Sequence, residues 1–151
     1  MDAPPPDLQR FVEAQDAGGT YDAALGELRR GRKTSHWMWF VFPQLAGLGR
    51  SPTARHYALS GADEARAYAA HPVLGPRLRE CARALTALPT DDPVTVLGSV
   101  DAHKLRSSMT LFAAVTPDEP VFGAVLERCF AGQEDPLTRA LLDASAQPPT
   151  G

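Results

Sequence analysis

Of the 15 basic residues in this chain only Lys33 and Lys104 are lysine; the other 13 are arginine. Ile and Asn are absent altogether, as a GC-rich genome would produce, and where arginine is the default a lysine carries some information. A lysine ammonium is compact and its pKa falls on burial, so it can act as base, nucleophile or Schiff-base former where a guanidinium cannot. Lys104 follows Asp101 by three residues. On a helix the two share a face, making either a simple ion pair or, if they look into a cleft, an acid/base couple. Lys33 stands in the segment Gly31-Arg-Lys-Thr-Ser-His-Trp-Met-Trp-Phe-Val-Phe-Pro-Gln44, where polar side chains run directly into both tryptophans of the protein. Basic groups beside flat aromatic faces suit an anionic aromatic ligand, with charge-assisted bonds for its oxygens and stacking for its ring. The candidate chemical residues are therefore Lys33, Lys104, Asp101 and His36, with Arg32, Trp37, Trp39 and Gln44 as ligand contacts. The same aromatics also suit a core, and both readings hold if one ring lines a pocket while the others fill the interior.

The next stretch, Leu45-Ala-Gly-Leu-Gly-Arg-Ser-Pro52, frees the backbone at Gly47 and Gly49 before a helix start carrying Ser51. Such amides can receive a phosphate, although the pattern is neither a P-loop nor a dinucleotide fingerprint. On the later helix, Ser108 falls on the face of Asp101 and Lys104 together with Leu105, Leu111, Phe112 and Val115, while His103, Arg106 and Thr110 point the other way. Ser107 and Ser108 join the ligand-binding candidates, because polar groups on an inward face must pair or meet a ligand. His36, His56, His71 and His103 show no ligand-like spacing with each other or with Cys81 and Cys129, so neither a metal nor a cofactor is expected. Both cysteines read as reduced core residues.

Charge is distributed unevenly. The formal total is −3, yet no Asp or Glu occurs between Leu28 and Ala62, where Arg29, Arg30, Arg32, Lys33, Arg50 and Arg55 lie; removing those 6 from 15 leaves 9 basic against 18 acidic residues elsewhere. A localised site for a small anionic, nucleotide-like ligand fits this better than extended nucleic acid, which a mainly acidic body repels. There is no apolar run of membrane-spanning length and no signal-peptide pattern at the start, so a cytoplasmic location without membrane contact is expected.

The elements that must hold these residues read as helices throughout. A proline-rich lead over 1–6 precedes a first helix from Asp7 to Ala14, broken at Gly18-Gly19. A second runs from Thr20, as its cap, to about Arg30 with Tyr21, Ala24, Leu25 and Leu28 inward. His36 to Phe42 is read as helix, since no second strand exists to pair with it. Short helices follow over Pro52 to Leu59 and, capped by Ser60, to about Ala70. Pro72 to Leu88 buries Leu74, Leu78, Cys81 and Leu85. Asp92-Pro93 opens a brief turn, and Ser99 caps a long helix to Val115. Thr116-Pro117, with Glu119 as a possible capping box, starts a helix to Phe130, and Asp135-Pro136 starts the last, to Ala144. The expectation is a single all-α domain over 7–144, with an orthogonal packing of about seven to nine helices and a loose tail over 145–151. At 151 residues and 44% hydrophobic content the chain can bury roughly 70% of its unfolded surface without disulfide or metal.

Several long motifs then carry a resemblance. Gly31-x-Lys33-x-Ser-His-Trp-Met-Trp-Phe-x-Phe-Pro-Gln44, Gly47-Leu-Gly-x-Ser51, Tyr57, Glu64-Ala65 with Tyr68, His71-Pro-Val-Leu-Gly-Pro-Arg-Leu78 and Asp101-x-x-Lys104-Leu-x-Ser-Ser-Met-Thr-Leu-Phe112 closely resemble the bacterial domain of unknown function 1810 family, from Phe11 to about Leu142. This resemblance implies a helical domain and no settled activity. The pattern is more distantly similar to the NADAR proteins, helical domains tied to ADP-ribose and related nucleotide-sugar chemistry, whose motif residues do not align with this chain one by one. The functional expectation is an enzyme acting on a phosphorylated nucleotide-derived or sugar ligand, with ADP-ribosyl-type N-glycosidic cleavage as one form of it. The alternatives are a sensor of such a ligand and an interaction module using the aromatic segment.

Overall fold

The computed structural model describes residues 7–146, and these form helices connected by short loops. They are α1 Gln9–Asp16, a 3-10 turn Ala17–Gly19, α2 Thr20–Arg30, α3 Met38–Val41, α4 Pro52–His56, α5 Ala62–Ala70, α6 Leu74–Thr86, α7 Pro93–Leu97, α8 Ser99–Val115, α9 Pro120–Phe130 and α10 Pro136–Ala146. Seven are eight residues or longer; α3, α4 and α7 are shorter. The sole extended pairing among the described residues is an isolated parallel bridge between Leu45 and Leu59. The all-α reading therefore holds.

Three of the four Ser/Thr/Asp-Pro starts behave as the capping chemistry requires. Ser51 accepts from the Ala54 N–H at 3.1 Å, Asp92 from Val94 at 2.9 Å and Asp135 from Thr138 at 3.2 Å. Thr116 does not. Its hydroxyl donates back to the Phe112 carbonyl, Glu119 turns to Arg79 at 2.5 Å, and α9 begins only at Pro120. Thr20, Ser60 and Ser99 are also not caps: Gly19, Gly61 and Gly98 precede α2, α5 and α8. The Ser60 N–H bonds the Glu64 carboxylate instead, at 3.0 Å. The first helix is shifted by two residues from Asp7–Ala14. The last runs two beyond Ala144, while the remainder of the expected lead and tail lies outside the described residues.

α8 is the central element, packing on α5, α7, α9 and α10. Nearly its whole circumference is buried, which corrects one part of the helical-wheel reading. Thr110, expected to face outward, is fully buried. Its hydroxyl donates to the Arg106 carbonyl and accepts from the Asp135 N–H, both at 2.8 Å, because the start of α10 packs there. One continuous core unites the domain, with Phe11, Trp37, Phe42, Tyr68, Phe112 and Phe122 among its largest members. Cys81 lies inside it, and burial pushes its thiol up to about 12. Cys129 is half-buried and its thiol is likewise raised by burial, so both are free, protonated thiols near neutral pH.

Candidate functional site

The segment carrying Lys33 begins where α2 stops. Gly31 adopts φ 77°, and the chain closes a Schellman motif: Gly31 N–H donates to Leu28 and Arg32 N–H to Glu27, both at 3.0 Å. The Glu27 side chain then gathers the loop that follows. Its carboxylate accepts from the Thr34 N–H at 2.7 Å, the Ser35 N–H at 2.9 Å, the Ser35 hydroxyl at 2.5 Å and the Trp37 indole N–H at 3.0 Å. Glu27 is 3% exposed. Burial pushes its carboxyl upward, but the four hydrogen bonds outweigh that and hold it at about 2. A fifth anchor, Lys33 N–H to the Val96 carbonyl at 2.8 Å, ties the loop to the end of α7.

So held, Lys33 reaches α8. Its ammonium lies 2.9 Å from Asp101 Oδ2, and Lys104 Nζ lies 3.6 Å from Oδ1 of the same carboxylate. The side chains of Lys33, Asp101 and Lys104 are 9%, 19% and 24% exposed. Each lysine also stands against a tryptophan, Lys33 at 5.2 Å from the Trp37 ring and Lys104 at 5.1 Å from that of Trp39. The two lysine-bearing segments therefore meet in one cluster. Lys104 continues into a cleft of about 360 Å³ lined by Gln44, Leu48, Gly49, Val100, His103, Lys104, Ser107 and Leu137.

The other sequence candidates divide around this cluster. Trp37 is 0% exposed and spends its indole N–H on Glu27, which corrects the reading of it as a stacking platform; Trp39, half-buried, is the ring that keeps an accessible part. Phe40 and Phe42 are buried too, so the aromatic segment is mostly core and not an exposed partner surface. Arg32, His36, Gly47 and Ser51 are exposed and do not line the cleft. Gly49 does, but its lack of a side chain is set by packing: a Cβ there would come within 2.5 Å of Ala54 Cβ. Gly47 has φ 101°, a conformation that favours glycine. Ser51 already spends its oxygen on the α4 cap.

Ser107 contributes an edge of the cleft while its hydroxyl donates to Asp135 at 2.9 Å, with the His103 carbonyl 3.3 Å away as the weaker alternative acceptor. Burial acts to raise the Asp135 carboxyl, but bonds from Thr138 and Ser107 hold it below the ordinary aspartate value. Ser108, one turn beyond Lys104, is fully buried and its hydroxyl finds no partner among the described residues. Among the same residues no group of three metal-ligating side chains occurs.

Comparison with known proteins places this arrangement in a family. The family model described as a protein of unknown function, DUF1810, matches residues 5–142. The chain belongs to the DUF1810 family. A search of curated proteins finds no match. The crystal structure of the conserved hypothetical protein Rv1873 from Mycobacterium tuberculosis, at 1.38 Å, is similar to it with 48% identity and a TM-score of 0.87, over 91% of this chain and 96% of that one. Within this DUF1810 domain, no helix among the described residues is long and apolar enough to cross a membrane.

Glu27 is the site residue that sequence reasoning passed over. It sits on the apolar side of α2, at i+3 from Ala24 and i−1 from Leu28, and a carboxylate in that register signals a hidden set of donors. The pairing of Lys33 with Asp101 had no such signal, since 68 positions separate them.

Proposed function

We propose that this domain binds a small anionic ligand in the cleft beside Lys104, with Lys33, Asp101 and Lys104 as its chemical centre. The supporting observation is that two ammonium groups share one carboxylate, at 2.9 and 3.6 Å. One carboxylate neutralises one ammonium, and the surplus positive charge sits in a partly desolvated crevice where attraction to an anion exceeds that at an open surface. Lys33 is the shorter and drier pair, so it fixes Asp101; Lys104 is longer-held, wetter and borders the cleft, so it is the group that engages the ligand. Leu48, Val100 and Leu137 supply an apolar wall, and Gln44 and His103 supply polar contacts.

A phosphorylated nucleotide-derived or sugar ligand combines the anion and the less polar body that this lining takes. In the enzymatic form of the reading, water adds to the anomeric carbon of an N-glycoside as its C–N bond breaks; the leaving nitrogen takes a proton from Lys104, which Asp101 orients, and the proton shed by the water restores the Lys104 ammonium. In the sensor form the same contacts bind without turnover.

A thermal-shift series with ADP-ribose and sugar phosphates tests the site. A ligand at about 100 times its Kd adds about 2.7 kcal/mol, raising the midpoint by roughly 5 to 10 °C for a domain of this size. The shift is expected in the wild type and lost in Lys104→Met. No shift with any of these compounds, or an equal shift in Lys104→Met, overturns the reading. Product detection by mass spectrometry then separates catalysis from sensing.

A further inference from the structure

The charge asymmetry of the sequence is not exhausted by the Lys33 cluster. Arg29, from the same acid-free stretch, faces α6, where it meets Arg77, Arg79 and Arg83 around an open groove of about 760 Å³. Pro76, Ala84, Ala87 and Leu88 supply the apolar part of the lining. The only acid in the lining is Glu80, and both of its oxygens are engaged, one by the Tyr21 hydroxyl and the other by Arg29 at 3.7 Å.

The four guanidiniums are unequally committed. Arg77 is held by Asp16 at 2.8 Å and Gln15 at 3.2 Å, with the Tyr21 ring 4.7 Å away. Arg79 is held by Glu119 at 2.5 Å and the Ala69 carbonyl at 2.8 Å. These two are fixed by partners that leave part of each five-donor fork unused. Arg29 is 64% exposed on a long contact, and no acid pairs with the exposed Arg83 among the described residues. Two anchored and two movable guanidiniums around one groove form a site for several oxyanion groups at once. The lining has no aromatic ring and no lysine, so nothing there reads a base or attacks a carbonyl.

We infer that this α2–α6 groove is a second binding site, for an oligophosphate group recognised through its charge and its several oxygens. It is independent of the Lys104 cleft, and its test keeps the two apart. Calorimetry at low salt would use inorganic tripolyphosphate and inorganic phosphate as probes, with wild type, Arg83→Glu, the double variant Arg29→Glu/Arg83→Glu, and Lys104→Met. Both substituted arginines are exposed, so folding should survive; urea midpoints check this.

Tripolyphosphate is expected to bind more tightly than phosphate and to weaken as salt rises. Loss of each arginine should weaken it about tenfold or more, while Lys104→Met keeps the groove's affinity. Undetectable tripolyphosphate binding, equal affinity for phosphate and tripolyphosphate, or unchanged binding in the folded double variant would overturn the assignment. So would an acidic peptide that binds through Arg29 and Arg83 where tripolyphosphate does not.

Discussion

Replacing Glu27 with Gln puts the physical account of the Lys33 loop at risk. The wild-type carboxylate accepts four hydrogen bonds and is held at about 2 against the ordinary 4.5 of a glutamate. Because the folded value is the lower one, the stabilisation is complete at neutral pH and is lost as pH falls from about 4.5 toward 2. The difference of about 2.5, at about 1.36 kcal/mol each, is worth roughly 3 kcal/mol. A glutamine oxygen can still accept from some of these donors, but its NH2 sets a donor against donors. Glu27→Gln should therefore cost about 3 kcal/mol at pH 7 and lower the melting midpoint by roughly 6 to 12 °C. Urea unfolding of both proteins between pH 7 and 3 measures it. The gap should narrow below about pH 4.5, where the wild-type carboxylate is protonated in the unfolded chain before it is in the folded one. A variant within about 0.5 kcal/mol of wild type at pH 7, or a gap constant down to pH 3, would refute the hydrogen-bonded anion as the organiser of the loop.

Asp101→Asn leaves two ammoniums facing each other without their carboxylate. It should cost about 1 to 3 kcal/mol by urea unfolding, less than a fully buried pair because the carboxylate is partly wet. Phosphate should stabilise this variant more than it does the wild type. Gly49→Ala forces a Cβ within 2.5 Å of Ala54 Cβ and should destabilise by about 1 to 3 kcal/mol; adding Ala54→Gly should return part of that loss in the same assay. Asp135→Ala removes the acceptor of the Thr138 N–H, the Thr138 hydroxyl and the Ser107 hydroxyl. A loss of about 2 kcal/mol is expected, with hydrogen exchange rising first along α10.

How far the sequence could be read depended on the range of the interactions involved. Ser51, Asp92 and Asp135 were legible as caps because a side chain and an amide two or three residues away need only local geometry. Thr116 misled for a tertiary reason: Glu119, which the capping box required, is drawn to Arg79 on α6. Thr110 misled because α10 covers the side of α8 that the wheel left to solvent. Trp37 and Trp39 were equivalent in composition, but in the fold Trp37 is fully buried with its indole N–H on Glu27 while Trp39 stays half-buried beside Lys104.

From residue order alone came the helical class, most helix positions, the glycine stop at Gly31, the pairing of Asp101 with Lys104 and the family. The family rests on its long motifs; the others rest on periodicity or on contacts within about one turn, which the chain encodes wherever it folds. Three-dimensional packing had to settle that Lys33 crosses to Asp101, that Glu27 is the hub of its loop, and that Arg29 faces the arginines of α6. Those contacts join segments 7 to 68 positions apart, and their energies come from burial and desolvation that exist only once helices from distant parts of the chain have closed over them.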